Sequence, residues 1–364
     1  MDINGRDKQV NHTELIRQTV LSESREQTCA VDAVEWTDPT GLSDPTGLSD
    51  PTGLSDPKVL SDPTVLSDPT VEQTAPSNPP NRTKPYRNLV LSGGSTRGIA
   101  HIGCLRGLVE NRLLALDSIK GISAVSAGSL LALLLVLGFD LDTIWSFIQD
   151  VDFSKMISPN PLLFLMSCGF DDGGKINQFV RGVLEKTIGN PDITFGELFE
   201  IKPIFFTVVG TCLTLKNVVY FSHKTHPHMP VHLAIKISMA LPGIFCPVPY
   251  GDHTYIDGAL IQNYPMDVFE TELDDTIGIL ISDEYITAYN CPEEYIMSLI
   301  NLMFYACHRK NCESYKKNTI CIKKGVSEIS SFNFDIDREK KCIMYDSGYE
   351  AFGMWFQSFQ HNSS

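Results

Sequence analysis

The sequence predicts an α/β protein with a mainly parallel, buried central sheet, preceded by a disordered N-terminal tail. From Asn88 onward, short apolar runs alternate with stretches of helical periodicity. That order of elements is typical of helices layered on both faces of a parallel sheet. Before Arg87 the chain is rich in proline, which blocks helix and removes hydrogen-bond donors from any strand.

The tail is placed at residues 1–87. Within it Asp-Pro recurs every six residues from Asp38 to Asp68, in the unit D-P-T-G/V-L-S. This period is too short for repeats that stack into a core, so a flexible or extended spacer is favoured over a docking motif. An α/β domain is then expected at residues 88–270. A mostly helical extension at residues 271–364 is expected to pack on the same core.

The elements of the domain follow from apolar periodicity and from the glycines that bound each run. Beyond the domain, one extended stretch is expected near Phe332–Ile336. The expected strands are Leu89–Leu91, Ile119–Val125, Ile204–Thr211, Val218–Phe221, Tyr255–Ile256 and Ile277–Ile281, and the expected helices are Ile99–Leu114 and Leu130–Leu137.

Composition narrows the function classes. The net charge of −15 argues against binding a nucleic-acid backbone. Ten cysteines are scattered without the dense spacing of a secreted scaffold, and no apolar segment of a signal peptide is visible at the start. We expect a cytoplasmic protein that can work peripherally at membranes, with no cofactor. Its protein partners cannot be read from the sequence.

One apolar stretch resembles a membrane span. Gly121–Phe139 is uncharged and about long enough to cross a bilayer. Its polar residues, including Ser123, Ser126 and Ser129, cluster towards one end, however. A buried strand, a tight turn and a buried helix are therefore favoured, and no transmembrane segment is expected.

Three short motifs carry the chemistry. The first is Ser92–Gly98, a glycine-rich loop between a strand and a helix, which could hold an anion or an oxyanion on its backbone amides. A dinucleotide site is the competing interpretation, with Asp117 as ribose ligand, although Ser95 replaces the second glycine of that fingerprint.

The second motif is Ala124-Val125-Ser126-Ala127-Gly128, at a strand-to-helix junction. A serine at such an elbow projects its hydroxyl from the end of the sheet, with small neighbours that let a substrate approach. Ala124 stands where glycine is usual, which is acceptable if its φ is not positive. A packing site between helix and sheet is the alternative.

The third motif is Asp257-Gly258-Ala259, directly after Tyr255-Ile256. An aspartate at the end of a strand faces the crevice where α/β proteins bind ligands. Gly258 and Ala259 leave room beside its carboxylate. Taken alone, however, an Asp-Gly pair most often marks only a turn.

In this order and spacing, the three motifs resemble those of the patatin-like phospholipase family. The resemblance covers Asn88 to Glu270 and includes Arg97–Gly103, Ser238–Phe245 and Asn263–Pro265. Beyond the domain, Asp346–Tyr349 is similar to the closing helix of such proteins. Ser95 and Ala124 depart from the family pattern, each standing for a glycine.

The resemblance implies a three-layer patatin-like sandwich and a lipid acyl hydrolase. Ser126 would be the nucleophile and Asp257 the general base, with a lipid or membrane surface as substrate. The oxyanion would be held by the backbone amides of Gly93, Gly94 and Ser95, in a loop fixed by Arg97 and closed by Gly98. Ala124, Gly128, Gly258 and Ala259 would support the two motifs.

Two alternatives stay open. Ser95 and Ala124 are compatible with a catalytically silent lipid-binding module of the same fold. A Ser-Asp-His triad would instead need His308 or His361, the histidines that follow Asp257. A zinc site from Cys307, His308, Cys312 and Cys321 matches no common ligand spacing, and no metal is expected.

The apolar segment Ser158–Phe170 has two interpretations. It could be a lid that meets acyl chains or a bilayer. A plain buried helix is favoured.

Overall fold

The computed structural model describes residues 82, 84–282, 298–299, 302, 314–323 and 334–360. The expected tail lies outside the described residues except for 82 and 84–87. His308, His361, Cys307 and Cys312 also lie outside them. Within the described part, helices flank a mainly parallel sheet, so the predicted fold class is confirmed.

Within the described residues the main sheet has eight strands, and two further strands form a small parallel pair. The ten strands are β1 (Asn88–Leu91), β2 (Gly121–Val125), β3 (Gly169–Asp171), β4 (Phe205–Cys212), β5 (Asn217–Phe221), β6 (Gly243–Phe245), β7 (Val248–Tyr250), β8 (His253–Asp257), β9 (Thr276–Ile281) and β10 (Thr319–Ile322).

The order across the main sheet is β10-β9-β1-β2-β4-β8-β7, with β5 also paired to β4. The strands from β10 to β4 are parallel, whereas β5, β8 and β7 run antiparallel to their neighbours. Every residue of β1, β2 and β9 is buried, as expected for strands covered by helices on both faces.

The helices pack on this sheet. The described α-helices are α1 (Ala100–Glu110), α2 (Ala127–Leu137), α3 (Leu141–Asp150), α4 (Pro161–Ser167), α5 (Gly174–Ile188), α6 (Phe195–Ile201), α7 (Val231–Ser238), α8 (Ala259–Gln262) and α9 (Arg338–Gln360).

Strand β4 pairs with three other strands, and two of them end beside it. Along one edge of β4, β5 pairs with residues 208–212. Along the other edge, β2 pairs with residues 205–209 and β8 continues with residues 210–212. Since β2 runs parallel to β4 and β8 runs antiparallel, their carboxyl ends meet head to head beside Val209 and Gly210. The two strand ends therefore lie at one point of the sheet.

The C-terminal helix α9 packs closely on α1 through glycines. A Cβ atom at Gly103 would lie 1.9 Å from the carbonyl oxygen of Tyr345, and one at Gly348 would lie 1.8 Å from that of Ala100. Only glycine allows the two backbones to approach so closely. This contact brings the Asp346–Tyr349 motif against the first helix of the domain.

The structure resolves the apolar stretch Gly121–Phe139 into β2, a turn at Ser126 and the buried helix α2. This agrees with the favoured interpretation. Among the residues that the structure describes, no helix is both long and apolar enough to cross a membrane.

Several local expectations were wrong. Helix α1 ends at Glu110 rather than Leu114, because the chain turns at Asn111 and Arg112, where Arg112 has φ 58°. Tyr86, expected in the tail, is buried and its N–H bonds to the carbonyl oxygen of Leu113 at 2.7 Å. Strand β10 was not predicted, since a four-residue run within a polar region carries little periodicity.

The segment Ser158–Phe170 also departs from its favoured interpretation. It contains α4, but none of the residues of this helix is buried. A helix that exposes its apolar side chains is not part of the core, and its role is considered below.

Candidate active site

Ser126 and Asp257 meet where β2 and β8 end. The Ser126 hydroxyl donates a hydrogen bond to Oδ2 of Asp257 at 2.7 Å. The two residues are 131 positions apart in the chain. Ser126 follows the last residue of β2, and Asp257 is the last residue of β8, opposite Gly210 of β4. Their contact is therefore a direct consequence of the strand order.

The backbone at Ser126 is strained. Its φ of 52° and ψ of −132° lie in a region that side-chain-bearing residues rarely adopt, at a cost of about 1–3 kcal/mol. This conformation turns the chain sharply from β2 into α2. Residues held in this way persist only when their surroundings enforce the conformation.

Two serines hold the backbone of Ser126 in this conformation through hydrogen bonds. Ser238 accepts a hydrogen bond from the Ser126 N–H at 2.8 Å and donates its own hydroxyl to the carbonyl oxygen of Val209 at 2.6 Å. Ser129 donates both its N–H, at 2.8 Å, and its hydroxyl, at 2.6 Å, to the Ser126 carbonyl. The turn is thus tied to β4 on one side and to α2 on the other.

Small residues around the turn meet a steric requirement. A Cβ atom at Gly128 would lie 2.6 Å from the carbonyl oxygen of Ser92, so the helix could not start so close to the glycine-rich loop. Ala124 is buried in β2 and does not have positive φ. Alanine therefore fits there, and this departure from the family pattern leaves the elbow intact.

The Asp257 carboxyl group is buried, with 1% of the residue exposed. Burial raises its pKa from 3.8 to about 7, against the hydrogen bonds from the Ala259 N–H and the Ser126 hydroxyl, which lower it. The Ala259 N–H bonds to Oδ1 at 2.9 Å, and the Asp257 N–H bonds to the carbonyl oxygen of Ala240 at 2.9 Å. A carboxyl group with a pKa near 7 can exchange a proton at neutral pH.

No histidine is among the partners of this carboxylate within the described part of the chain; they are Ser126 and Ala259. The same part holds no cluster of three or more His, Cys, Asp or Glu side chains arranged to bind a metal. His308 of the alternative triad lies outside the described residues.

The glycine-rich loop lies against Ser126. A Cβ atom at Gly93 would be 3.1 Å from Cβ of Ser126. The Gly93 N–H, however, donates to Oδ1 of Asn263 at 2.9 Å. That N–H therefore already has a partner in this structure, whereas the resemblance implied that it would serve as an oxyanion donor. No such bond occupies the N–H groups of Gly94 and Ser95 among the described residues.

Ser95 occupies a left-handed position. Its φ is 51°, a value that glycine adopts freely and serine does not. The serine that stands for the family glycine therefore strains the loop. Arg97 follows in a buried position, where burial lowers its pKa to about 10, and its N–H bonds to the carbonyl oxygen of Gly94 at 3.1 Å.

An apolar cleft opens beside the elbow. Its empty volume, including the part open to solvent, is about 630 Å³. Ser95, Gly98 and Ala127, the residue after Ser126, are among the residues that line it. The rest of the wall is apolar apart from Thr96 and comes mainly from α2 and α3; it consists of Ile99, Ile102, Leu130, Leu131, Leu134, Ile144, Phe147, Ile148, Val151, Phe153, Met156 and Phe179.

The sequence motifs contained two of the supporting residues without revealing their roles. Ser238 opens the matched stretch Ser238–Phe245, and Asn263 opens Asn263–Pro265. Both are polar residues beside small or apolar neighbours, which was the available signal. Their partners, Ser126 and Gly93, lie more than 100 residues away along the chain.

Comparison with known proteins shows the family of the chain. The sequence profile of the family described as Patatin-like phospholipase matches residues 89–270, half of the chain. The chain belongs to the patatin-like phospholipase family, a class of lipid hydrolases.

Two viral proteins are among its relatives. An uncharacterised protein of Acanthamoeba polyphaga mimivirus is 27% identical over 278 residues, which are 73% of this chain and 92% of that protein. A probable lipid hydrolase of Invertebrate iridescent virus 6 is 28% identical over 192 residues, 51% of this chain and 64% of that protein.

Among solved structures, VipD from Legionella pneumophila has a similar fold. The TM-score is 0.53 at 16% identity, over 75% of this chain and 67% of that chain. At this level of identity the similarity concerns the fold alone.

Replacing Ser95 by glycine should stabilise the protein. Relief of the left-handed strain outweighs the greater unfolded-state entropy of glycine, so we expect a gain of up to about 1 kcal/mol in urea unfolding. Ser146→Gly, within the regular helix α3, is the matched control and should lose stability by about 0.5–1 kcal/mol. Equal losses for both variants would contradict the strain at Ser95.

Replacing Ser238 by alanine should loosen the elbow. The change leaves the Ser126 N–H and the Val209 carbonyl without their partner, at a cost of about 1–3 kcal/mol per buried group in the free energy of unfolding. Ser129→Ala is the control, because the Ser129 N–H still bonds to the Ser126 carbonyl. A Ser238→Ala loss no larger than that of Ser129→Ala would show that the turn does not depend on Ser238.

Proposed function

We propose that the chain is a lipid acyl hydrolase that cleaves carboxylic esters of phospholipids or glycerolipids, with Ser126 as nucleophile and Asp257 as general base. The observation that carries the proposal is the 2.7 Å hydrogen bond between the Ser126 hydroxyl and a buried carboxylate. Family membership supports the lipid substrate class, and the apolar cleft beside the serine supports an acyl chain as the group that is bound.

In the first step, the ionised Asp257 accepts the proton of the Ser126 hydroxyl as its oxygen attacks the ester carbonyl. The strained turn keeps this hydroxyl at the end of the sheet, where a substrate can reach it. The tetrahedral intermediate then collapses, and Asp257 returns the proton to the departing alcohol. The product is an acyl-enzyme on Ser126.

In the second step, water replaces the alcohol. Asp257 accepts a proton from the water as its oxygen attacks the acyl carbonyl, and the proton then returns to Ser126. The fatty acid leaves and the enzyme is restored. A single carboxylate can serve both steps because its pKa of about 7 lets it gain and lose a proton near neutral pH.

The oxyanion is assigned to the backbone N–H groups of Gly94 and Ser95. The bond from the Gly93 N–H to Asn263 gives Gly93 and Asn263 a different role, which is to fix the shape of the loop. An oxyanion donor is typically worth about 2.7–4 kcal/mol of transition-state stabilisation. The left-handed backbone at Ser95 therefore affects the direction in which these N–H groups point.

The acyl chain is assigned to the apolar cleft. Ala127, the residue after Ser126, lines the cleft together with Leu130, Leu131 and Leu134 of α2, so an acyl chain bound there would lie along α2. A predominantly apolar lining of this kind is typical of small-molecule sites. The head group would lie outside the cleft, which is consistent with activity on more than one ester class.

Labelling by a fluorophosphonate tests the nucleophile. The wild-type protein should be labelled on Ser126 and should hydrolyse a p-nitrophenyl acyl ester, whereas Ser126→Ala should lose both properties, with a rate at least about 10³-fold lower. Ser118→Ala is the matched control and should behave as wild type. Unlabelled native protein would favour the silent lipid-binding module, and loss of activity in His308→Ala but not in Asp257→Asn would favour the triad.

The pH dependence tests the base. Since Asp257 must be ionised, kcat/KM should rise with pH through about 7 and then level off. Because its folded-state pKa lies above the unfolded value of 3.8, the folded state retains a proton that the unfolded chain has lost between these values. Stability should therefore fall as pH rises through this window.

The variant Asp257→Asn separates the effect of Asp257 on activity from its effect on stability. At about pH 8 this variant should be inactive yet more stable than wild type by urea unfolding, since it no longer buries an ionised carboxylate. At about pH 4 the difference in stability should largely vanish. A variant that is less stable than wild type at the higher pH would contradict the proposed protonation of Asp257.

A further inference from the structure

The segment that precedes β3 exposes an unusual amount of apolar surface. Residues 156–170 include no charged side chain. Within α4, Leu162 is 69% exposed, Leu165 81% and Met166 84%. Phe164 and Phe170 stack on each other beside them, with ring centroids 4.5 Å apart, and are also partly exposed. We refer to these five side chains as the α4 apolar surface.

This exposure is built into the fold. The buried carboxylate of Asp171 accepts the N–H groups of Ser158 and Gly173, which closes the base of the segment. The Asn160 N–H bonds to the carbonyl oxygen of Phe170 at 2.7 Å, so the two ends are paired. Strand β3 pairs in turn with β6. The apolar side chains are thus held outward on an anchored base.

The α4 apolar surface is continuous along the chain with the acyl cleft. Phe153 and Met156 line the cleft, and the exposed segment follows directly after them. Lys155 lies between these two residues with its side chain 80% exposed, in a weak solvent-exposed pair with Asp152. Lys175 donates to the carbonyl oxygen of Lys155 at 2.9 Å. Apolar residues flanked by lysines are typical of surfaces that enter the boundary between lipid head groups and acyl chains.

We propose that the α4 apolar surface inserts into the surface of a phospholipid bilayer and thereby brings the cleft of the enzyme to its substrate. The inference rests on the proposed function in that it assigns a lipid substrate. A bilayer is favoured over a protein partner because the surface adjoins the cleft into which a lipid acyl chain would pass. Insertion is driven by apolar contact, since the protein as a whole carries a net charge of −15.

The test uses the full chain with Ser126→Ala, so that no lipid is consumed, and sedimentation with phosphatidylcholine vesicles. This protein should bind the vesicles, and binding should persist at high salt because apolar insertion is not screened. Adding Leu165→Asp and Met166→Asp should weaken binding about 100-fold or more, since each apolar side chain contributes about tenfold. Adding Leu215→Asp instead, at an apolar residue on the turn between β4 and β5 that is 56% exposed, should leave binding unchanged.

A second variant reports insertion directly. With Leu165→Trp, the indole emission should shift to the blue on adding vesicles and should be quenched by lipids brominated on their acyl chains. Equal binding by the double-aspartate variant, binding only to anionic vesicles and only at low salt, or self-association through this surface without vesicle binding would each overturn the proposal.

Failure of the inference can be distinguished from failure of the proposed function. Vesicle binding is measured with Ser126 already removed, so it does not depend on catalysis. Hydrolysis of a soluble p-nitrophenyl ester by the wild-type protein reports the chemistry without a bilayer. If the wild-type protein hydrolyses the soluble ester but the Ser126→Ala protein does not bind vesicles, only the proposed bilayer insertion of the α4 apolar surface is refuted. If the wild-type protein is inactive but the chain binds vesicles through this surface, only the catalytic assignment is refuted.

Discussion

The geometry of the site depends on one strand edge. Val209 and Gly210 are neighbours on β4, and along that edge β2 ends beside one and β8 ends beside the other. This arrangement is possible because β2 runs parallel to β4 while β8 runs antiparallel to it. The hydroxyl of Ser126 and the carboxylate of Asp257 are therefore brought into contact by backbone pairing. No flexible loop has to be ordered to join them.

The contact between Ser126 and Asp257 combines a buried carboxyl group with a strained backbone. Taking the Asp257 carboxyl group out of water raises its pKa towards neutrality, which suits a general base but costs stability once the group ionises. The backbone of Ser126 stores further strain, which Ser238 and Ser129 hold in place through hydrogen bonds. Strained backbone and buried ionisable groups cluster at functional sites because the surrounding fold can bear their cost.

Two apolar features of the described residues differ in their physical surroundings. The cleft is lined mainly by apolar residues of α2 and α3, and it is the place to which the proposed function assigns an acyl chain. The α4 apolar surface faces water, where soluble proteins rarely keep several large apolar side chains together. The chain connects the two through Phe153 and Met156. A bilayer would thus meet the protein beside the entrance to the cleft.

Much of this could be read from the sequence. The alternation of apolar runs predicted the parallel sheet, because a strand covered on both faces must be apolar throughout. The motif order predicted which residues come together, and Ser126 and Asp257 do lie in contact. Ala124 was expected to be harmless if its φ stayed negative, a local condition that β2 meets. These inferences succeeded because each depended on a few neighbouring residues or on a complete ordered pattern.

Only the tertiary structure decided the rest. The hydrogen bond of the Gly93 N–H to Asn263, which is distant in the chain, became visible only in the folded structure. The pKa of Asp257 depends on how completely neighbouring elements exclude water. The apolar run in Ser158–Phe170 has a composition that suits either a core helix or an exposed one, and the anchoring of its base by Asp171 determines which. Long-range contacts and burial of this kind leave no periodic trace in the sequence, which is why periodicity could not reveal them.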